Sequence, residues 1–146
     1  MRFFFYGTLL DGDVRRLVLG ERAPTLVEPA RLDGWRRMTL EGVDYPVIVP
    51  AVGGVVEGAV ARGLDATGHA RLVRYEGPDY VLAEVEVRLD AGSRGLAVNV
   101  FVPRPGFRVI GRPGWDLVRW QRRVKPRFLA RLRPGHTAAS ASRSTT

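Results

Sequence analysis

The chain has 146 residues, no cysteine and a formal net charge of +8. Its length fits one domain, and a composition of 45% hydrophobic and 26% charged residues is typical of a soluble globular protein rather than a disordered or fibrous one. Without cysteine, disulfides, thiolate catalysis and cysteine-based zinc sites are excluded, and the composition is compatible with a reducing cytosol.

The positive charge is concentrated in the C-terminal third. Residues 1–103 contain 12 Arg and 14 acidic residues, a net charge of −2. Residues 104–146 contain 10 Arg, one Lys and one Asp, a net charge of +10. The high isoelectric point therefore describes the C-terminal segment, and it does not by itself indicate that the whole protein binds nucleic acid.

The first residues are not typical of a secretion signal. The apolar run that follows Arg2 is broken at Gly7 and ends at Asp11, where a signal peptide would still be apolar. No segment reaches the ~18 consecutive apolar residues that a membrane-spanning helix needs. We therefore expect a cytoplasmic protein without a membrane span.

The chain is predicted to begin with a buried strand and a short helix. Arg2–Tyr6 is rich in aromatic residues and ends at a glycine, which is typical of a strand inside a core. Asp11 or Asp13 is suited to cap a helix over Val14–Leu19.

Several strands follow. Two are expected within Leu26–Leu40, because an Asp-Gly pair at residues 33 and 34 predicts a turn between them. Val47–Val49 and Val55–Ala61 are predicted as two further strands, separated by Pro50 and a pair of glycines. Gly58, in the middle of the second, indicates a bulge or a close backbone approach.

One more helix and a hairpin complete the predicted domain. Asp65 is suited to cap a helix that must end near Glu76, because Gly-Pro follows. Tyr80–Leu89 alternates apolar and charged residues, and a turn at residues 90–95 predicts pairing with Leu96–Val102. Strands outnumber helices and hairpins connect several of them, which predicts an α+β fold with a mostly antiparallel sheet or small barrel.

The segment after Pro103 has a different character. Trp115–Val124 has apolar residues at helical spacing, and a second short helix or turn is expected after Pro126. We expect three regions: a domain over residues 1–103, an Arg-rich extension packed on it over residues 104–135, and a disordered, Ser- and Thr-rich tail over residues 136–146.

Elimination narrows the possible chemistry. The two histidines are His69, on a charged helix face, and His136, in the tail, and the four serines lie in a predicted turn or in the tail. A Ser-His-Asp triad, a clustered metal site and a phosphate-binding glycine loop are therefore not indicated. The remaining possibilities are a mechanism based on a carboxylate or on backbone groups, or no catalysis.

Two motifs fit such a mechanism. Tyr6-Gly7-Thr8-Leu9 leaves a buried strand, and successive N–H groups after a glycine can hold an anion, although the same residues also make an ordinary turn. Glu76 is predicted at the C-terminus of a helix, where the helix dipole disfavours a negative charge. A glutamate in that place either belongs to a functional site or is simply a solvated surface residue.

The motifs form an ordered set along the chain: Tyr6-Gly7-Thr8-Leu9, then Tyr45-Pro46 with Gly53-Gly54, then Tyr75-Glu76-Gly77 with Tyr80. This set resembles the gamma-glutamylcyclotransferase-like family, which includes the plant avirulence-induced proteins. The resemblance covers residues 2–102 and implies a small mixed α+β barrel, mostly antiparallel, with a few short helices and a cavity.

The resemblance also implies a reaction that needs no cofactor and no metal. In this family the free α-amino group of a small gamma-glutamyl compound attacks its own gamma-amide carbonyl, which yields 5-oxoproline and a released amine or amino acid. By resemblance, Glu76 is the general acid/base, and Tyr6, Gly7, Thr8 and Leu9 form the substrate loop. Glutathione, gamma-glutamyl amines, an isopeptide or a specialised metabolite are all candidate substrates.

Three tyrosines and several departures from the family pattern bear on the pocket. Tyr45, Tyr75 and Tyr80 are candidates to line it, or they are packed aromatics with satisfied hydroxyls. Relatives commonly have Leu-Asp where this chain has Leu72-Val73, and arginine where Val81 follows Tyr80. They frequently have tyrosine where this chain has Phe101.

The basic C-terminal segment allows three interpretations. Its arginines form a solvated surface around apolar residues that dock on the barrel, or they bind nucleic acid or another polyanion, or they contact an anionic membrane surface. With 22 Arg against a single Lys in the chain, a compositional bias also explains part of the charge. The alternative to an enzyme is therefore a non-catalytic binding module of the same fold that binds a polyanion such as nucleic acid.

Overall fold

The computed structural model describes residues 1–23, 27–40, 45–89, 95–107 and 111–132, and within these ranges it has six strands and four helices. The strands are β1 (Phe3–Phe5), β2 (Glu28–Leu40), β3 (Pro46–Ala61), β4 (Tyr80–Leu89), β5 (Gly95–Pro103) and β6 (Gly111–Arg112). The helices are α1 (Gly12–Leu19), α2 (Ala66–Glu76), α3 (Leu117–Arg123) and α4 (Lys125–Leu132). The predicted turn before Gly95 and the predicted disordered tail lie outside the described residues.

Five of the strands close into a barrel. Their order is β3-β1-β5-β4-β2, and β2 pairs back with β3 to close the ring, while the short β6 adds to the far end of β2. The β1–β5 pair is parallel and the other pairs are antiparallel. The predicted fold class, a mixed and mostly antiparallel barrel with a few short helices, is therefore confirmed.

The prediction of two strands on each side of the β2–β3 hairpin is wrong. β2 and β3 are each one long strand. The register of their pairing shifts between Asp33 and Trp35, but both strands continue through the shift. Gly34 and Gly53 both have positive φ, 84° and 77°, a conformation that glycine adopts at no steric cost. The glycines therefore introduce local irregularities into a continuous ladder instead of terminating it.

Gly58 lies at the close backbone approach that the sequence predicts. A Cβ atom added there would lie 2.7 Å from the Cζ atom of Phe4, and closer still to the carbonyl oxygen of Phe5. Since β1 pairs with β3 at this point, the missing side chain is what lets the two strands and the Phe4 ring come together.

We expect Gly58→Ala to lower the free energy of unfolding by ~2–3 kcal/mol, because the methyl group overlaps the backbone of β1. Denaturant unfolding measures the effect. Gly12→Ala is the matched control, since an added Cβ would lie 3.6 Å from the nearest atom, Nη2 of Arg15, an ordinary contact. Equal stability of the two variants would contradict the close approach.

Side chains of the barrel strands divide between two hydrophobic clusters. One cluster consists of barrel residues and contains Phe4 and Tyr6, whereas the other joins Phe3 and Phe5 to residues of the helices. The alternation follows from the strand period of two. The helices therefore pack on one face of β1, and the chain enters the candidate site directly after this strand.

The C-terminal helices belong to the helix-facing cluster. Trp120, Val124 and Phe128 are buried in it, and the rings of Trp120 and Phe128 meet edge to face at 5.2 Å. The helix breaks at Val124, and Pro126 lies in the first turn of α4, where its missing N–H has no helical acceptor. The predicted interruption at this proline is confirmed. None of the described helices is long and apolar enough to span a membrane.

Candidate active site

Four parts of the chain meet around one small cavity. They are the turn after β1, the start of β3, the C-terminus of α2 with the start of β4, and the middle of β5. The cavity has a volume of about 40 Å³. The seven residues that the sequence predicts as catalytic or substrate-binding all line it: Tyr6, Gly7, Thr8, Leu9, Tyr45, Glu76 and Tyr80.

Glu76 occupies the last position of α2. The N–H of Gly77 donates to the carbonyl of Val73, and a φ of 86° at this glycine ends the helix. Burial raises the pKa of the Glu76 carboxyl to about 8, because removal from water disfavours its charged form. A glutamate with this pKa exchanges a proton near neutral pH, which an exposed glutamate does not.

Two hydrogen bonds between distant parts of the chain fix the shape of the cavity. The hydroxyl of Tyr6 donates to the carbonyl oxygen of Phe101 at 2.8 Å. The hydroxyls of Thr8 and Tyr75 are 2.8 Å apart and share a hydrogen bond. Since Tyr75 directly precedes Glu76, this bond connects the turn after β1 to the end of α2. The acceptor for Tyr6 is a backbone carbonyl, so the phenylalanine at position 101 leaves that contact intact.

Tyr45 and Tyr80 present a different case. Their hydroxyls are buried and have no hydrogen-bond partner among the described residues. Burial raises the pKa of Tyr45 to about 12 and that of Tyr80 above its ordinary value, so both hydroxyls stay protonated at neutral pH. Buried polar groups are normally paired, and two unpaired donors beside one carboxyl indicate a place where a polar ligand binds.

The turn after β1 is a short 3₁₀ helix, Thr8–Leu10. The N–H of Leu10 donates to the carbonyl of Gly7, and the N–H of Asp11 donates to that of Thr8. At the start of any helical turn the first N–H groups precede the intrahelical hydrogen bonds. Gly7 also packs against Pro46, whose Cγ would lie 3.1 Å from a Cβ at position 7.

Residues that the sequence analysis did not single out hold this turn. Arg15, buried on α1, donates through Nη1 to the carbonyls of Leu9 and Leu10 at 2.9 Å each. The sequence indicates this role only in part. An arginine on the apolar face of a helix, such as Arg15, needs buried acceptors, but the sequence does not show which ones.

Asp11 connects the turn to the C-terminal helices. Oδ1 of Asp11 caps α1 by accepting from the N–H groups of Asp13 and Val14, which decides between the two predicted caps. Its Oδ2 accepts from Gln121 Nε2 and lies 2.9 Å from Lys125 Nζ. Although burial opposes it, hydrogen bonds from Lys125 and Gln121 lower the pKa of this carboxyl.

The described part of the chain contains no group of three or more His, Asp or Glu residues able to hold a metal ion. His69, the one described histidine, packs its ring against Phe3 with a centroid distance of 5.9 Å. The polar groups that line the cavity are a carboxyl group, hydroxyl groups and backbone groups.

Comparisons with known proteins agree with this geometry. A curated Arabidopsis thaliana protein, AIG2-like protein A, is 31% identical over 128 residues, covering 86% of this chain and 75% of its own length. Protein AIG2 C of the same plant is 33% identical over 120 residues, covering 81% and 70%.

Solved structures share the fold. The solution structure of an Arabidopsis thaliana protein superposes with a TM-score of 0.69 at 28% identity, covering 88% of this chain and 85% of that one. A structure described as gamma-glutamyl cyclotransferase superposes with a TM-score of 0.60 at 17% identity, covering 77% and 69%, a likeness of fold alone. The family model described as "Gamma-glutamyl cyclotransferase, AIG2-like" matches residues 3–122. The chain belongs to this family.

Proposed function

We propose that the protein is a cofactor-independent gamma-glutamyl cyclotransferase that acts on a small gamma-glutamyl amide. It would release 5-oxoproline and an amine or amino acid. The observation that carries the proposal is the Glu76 carboxyl, whose pKa of about 8 fits proton transfer at neutral pH, in a cavity with two unpaired tyrosine hydroxyls.

The reaction needs one base that later becomes an acid. Ionised Glu76 takes a proton from the α-ammonium group of the substrate, and the freed amine attacks the gamma-carbonyl carbon. A new C–N bond closes the five-membered ring, and the carbonyl oxygen gains negative charge. The bond to the leaving nitrogen then breaks as protonated Glu76 returns this proton to it. Glu76, ionised again, takes the second proton from the ring nitrogen, which becomes the neutral amide nitrogen of 5-oxoproline, and passes that proton to the released amine, which leaves as an ammonium ion. Atoms and charge balance without any further reactant.

The raised pKa of Glu76 suits both halves of this cycle. A carboxylate with an ordinary pKa of ~4.3 is a weak base toward an ammonium group. Once protonated, it also holds the proton too weakly to keep it for the second step. The substrate's positive charge favours the ionised carboxylate on arrival. Glu76 therefore gains basicity from burial and is ionised when the ammonium group approaches.

The hydroxyls of Tyr45 and Tyr80 supply uncharged donors for the oxygen atoms of the substrate. Both are protonated at neutral pH, and both belong to the wall that Glu76 shares. We assign them to the α-carboxylate or to the carbonyl oxygen as it gains charge, together with N–H groups of the Tyr6–Leu9 loop. At about 40 Å³ the cavity admits only a few atoms, so an entering substrate must displace wall side chains.

A substrate panel tests the proposal. The purified protein is incubated with gamma-glutamyl amino acids, gamma-glutamyl amines and glutathione, and released 5-oxoproline is measured. Turnover of at least one compound, with the matching amine released in equal amount, is expected. Absence of 5-oxoproline with every compound would favour the non-catalytic alternative.

Removing the two unpaired hydroxyls should affect catalysis more than folding. We expect Tyr45→Phe and Tyr80→Phe each to lower kcat/KM by about 10- to 100-fold, the effect of losing one hydrogen bond to a charged group. Their stabilities should equal that of the wild type or exceed it, because neither hydroxyl has a partner among the described residues. Steady-state kinetics and denaturant unfolding measure both quantities.

Tyr6→Phe is the matched control for the pair. Its hydroxyl donates to Phe101, so this variant should lose ~1 kcal/mol of stability. If Tyr45→Phe and Tyr80→Phe both kept wild-type kcat/KM, the assignment of these hydroxyls to substrate binding would be wrong.

A further inference from the structure

A second and larger cavity lies at the C-terminal helices. Its volume is about 480 Å³, within the range of ~300–1,000 Å³ that is usual for sites of small organic ligands. We call it the C-terminal cleft and define it by Arg112, Trp115, Arg119, Trp120, Arg123 and Arg127. None of these residues lines the cavity that contains Glu76.

The charged residues of the C-terminal cleft are mostly arginines. Arg119 and Arg123 are four residues apart on α3, so they share a helix face, and Arg112 reaches the cleft from β6. The one acidic residue in the lining is Asp116, and its Oδ1 accepts from the N–H of Val118 as the cap of α3. The cleft therefore has an excess of positive charge.

Some arginines elsewhere in the protein are paired with a carboxylate, whereas others, Arg2 and Arg74 among them, form no ion pair with a described residue. Arg62, Arg88 and Arg104 each pair with a carboxylate, at 2.7, 2.6 and 3.2 Å. Arg112, Arg119 and Arg123 form no ion pair with any described residue. A compositional excess of arginine accounts for single exposed side chains, but not for three unpaired ones around one concave site.

A neutral donor in the wall points to the same kind of ligand. Trp120 is 3% exposed, and its buried indole N–H has no acceptor among the described residues. An indole nitrogen can only donate, and since no described residue accepts from it, an oxygen atom of a bound ligand would satisfy it. The guanidinium of Arg37 lies 5.6 Å from the ring of Trp115, which adds a further positive charge beside the wall.

We propose that the C-terminal cleft binds a small ligand that carries an oligophosphate group. Guanidinium groups match phosphate oxygens in pairs, and several of them are needed to hold more than one phosphate. The concave shape favours a compact anion over a long nucleic-acid strand, which would need a continuous basic track. This site is independent of the proposed cyclotransferase reaction.

Calorimetric titration of the full chain tests the proposal, with sodium tripolyphosphate and ATP as probes at low and at near-physiological ionic strength. Both probes should bind, more weakly as salt rises, and adenosine should not bind. The Arg119→Gln/Arg123→Gln double variant should bind both probes about tenfold more weakly or worse. Arg2→Gln/Arg74→Gln removes the same charge from exposed positions elsewhere and should leave affinity within about twofold.

Trp120→Phe provides a second test, because it keeps an aromatic ring at this position. It removes the unpaired N–H, and we expect about three- to tenfold weaker binding of tripolyphosphate. Glu76→Gln should bind the probes like the wild type, so failure here and failure of the cyclotransferase proposal are distinguishable.

Three results would overturn the proposal. The first is absence of binding by tripolyphosphate at low ionic strength. The second is an equal loss of affinity in the two double variants, which would indicate unspecific charge attraction. The third is tighter binding of a single-stranded DNA oligonucleotide that depends on both pairs of arginines, which would indicate an extended nucleic-acid surface.

Discussion

Replacement of Glu76 by glutamine is expected to lower kcat for 5-oxoproline release by about 1,000-fold, within the range that a general base contributes. Glutamine has nearly the same shape, but its amide neither takes the proton from the substrate ammonium nor returns it to the leaving nitrogen. The rate is measured with the best compound of the panel. KM should change much less than kcat, since proton transfer occurs only on the way to the transition state.

Glu84→Gln is the matched control, because Glu84 is an exposed glutamate on β4 and should be dispensable for activity. Equal turnover by Glu76→Gln and Glu84→Gln would remove Glu76 from the mechanism, even if the protein released 5-oxoproline.

Stability separates loss of chemistry from loss of folding in Glu76→Gln. In the unfolded chain the Glu76 carboxyl ionises near its ordinary pKa of 4.5, whereas in the folded protein it stays protonated up to about 8. The folded state therefore binds more protons across this interval, and the stability of the wild type falls as pH rises through it. Glutamine has no such dependence, so at pH 8 the variant should be the more stable protein by ~4 kcal/mol.

Phe128→Ala is expected to lower the free energy of unfolding by ~3–5 kcal/mol, the cost of a large cavity in a packed core. Phe128 is 2% exposed, its ring meets Trp120 edge to face, and it belongs to the same cluster as Phe3 and Phe5 of β1. Chemical denaturation followed by tryptophan fluorescence measures the change. One cooperative transition is expected, because α3 and α4 share this core with the barrel.

Val118→Ala is the matched control, since Val118 is 51% exposed on α3, and this substitution should lower the free energy of unfolding by less than ~1 kcal/mol.

Phe128→Ala should also reduce activity at temperatures where it is still folded. Gln121 and Lys125 hold Asp11 next to the Thr8–Leu10 turn, so loosened helices release one side of the site. Unchanged stability in Phe128→Ala would show that the C-terminal helices are not part of the core.

The sequence predicts which residues share the cavity better than it predicts the ends of the strands. The seven predicted site residues lie in short motifs at element ends, where glycines and a helix stop limit the local geometry, and the structure brings all seven to one cavity. The ends of strands are harder to predict, because an Asp-Gly pair is equally compatible with a bend within one strand and with a turn between two strands. Whether Gly34 ends a strand or bends it depends on pairing with β3, which lies far away along the chain.

Other features of the site depend on contacts between distant residues. The hydroxyls of Tyr45 and Tyr80 are unpaired because no described residue around the cavity accepts from them, and a local sequence pattern does not indicate a missing partner. The contact between Lys125 and Asp11 joins residues more than a hundred positions apart. Sequence spacing carries no information about such pairs, so only the folded structure shows the connection between the C-terminal helices and the turn after β1.

The state of one carboxyl group is the central claim, and an NMR titration of the carboxyl carbon of Glu76 tests it most directly. Comparison of the wild type with Glu76→Gln identifies the resonance, and its chemical shift is followed across the pH range in which the protein stays folded. A midpoint near 8 is predicted, because burial disfavours the charged form. A midpoint near the ordinary value of 4.5 would contradict the account, since Glu76 would then be a solvated carboxylate without the basicity that the reaction needs.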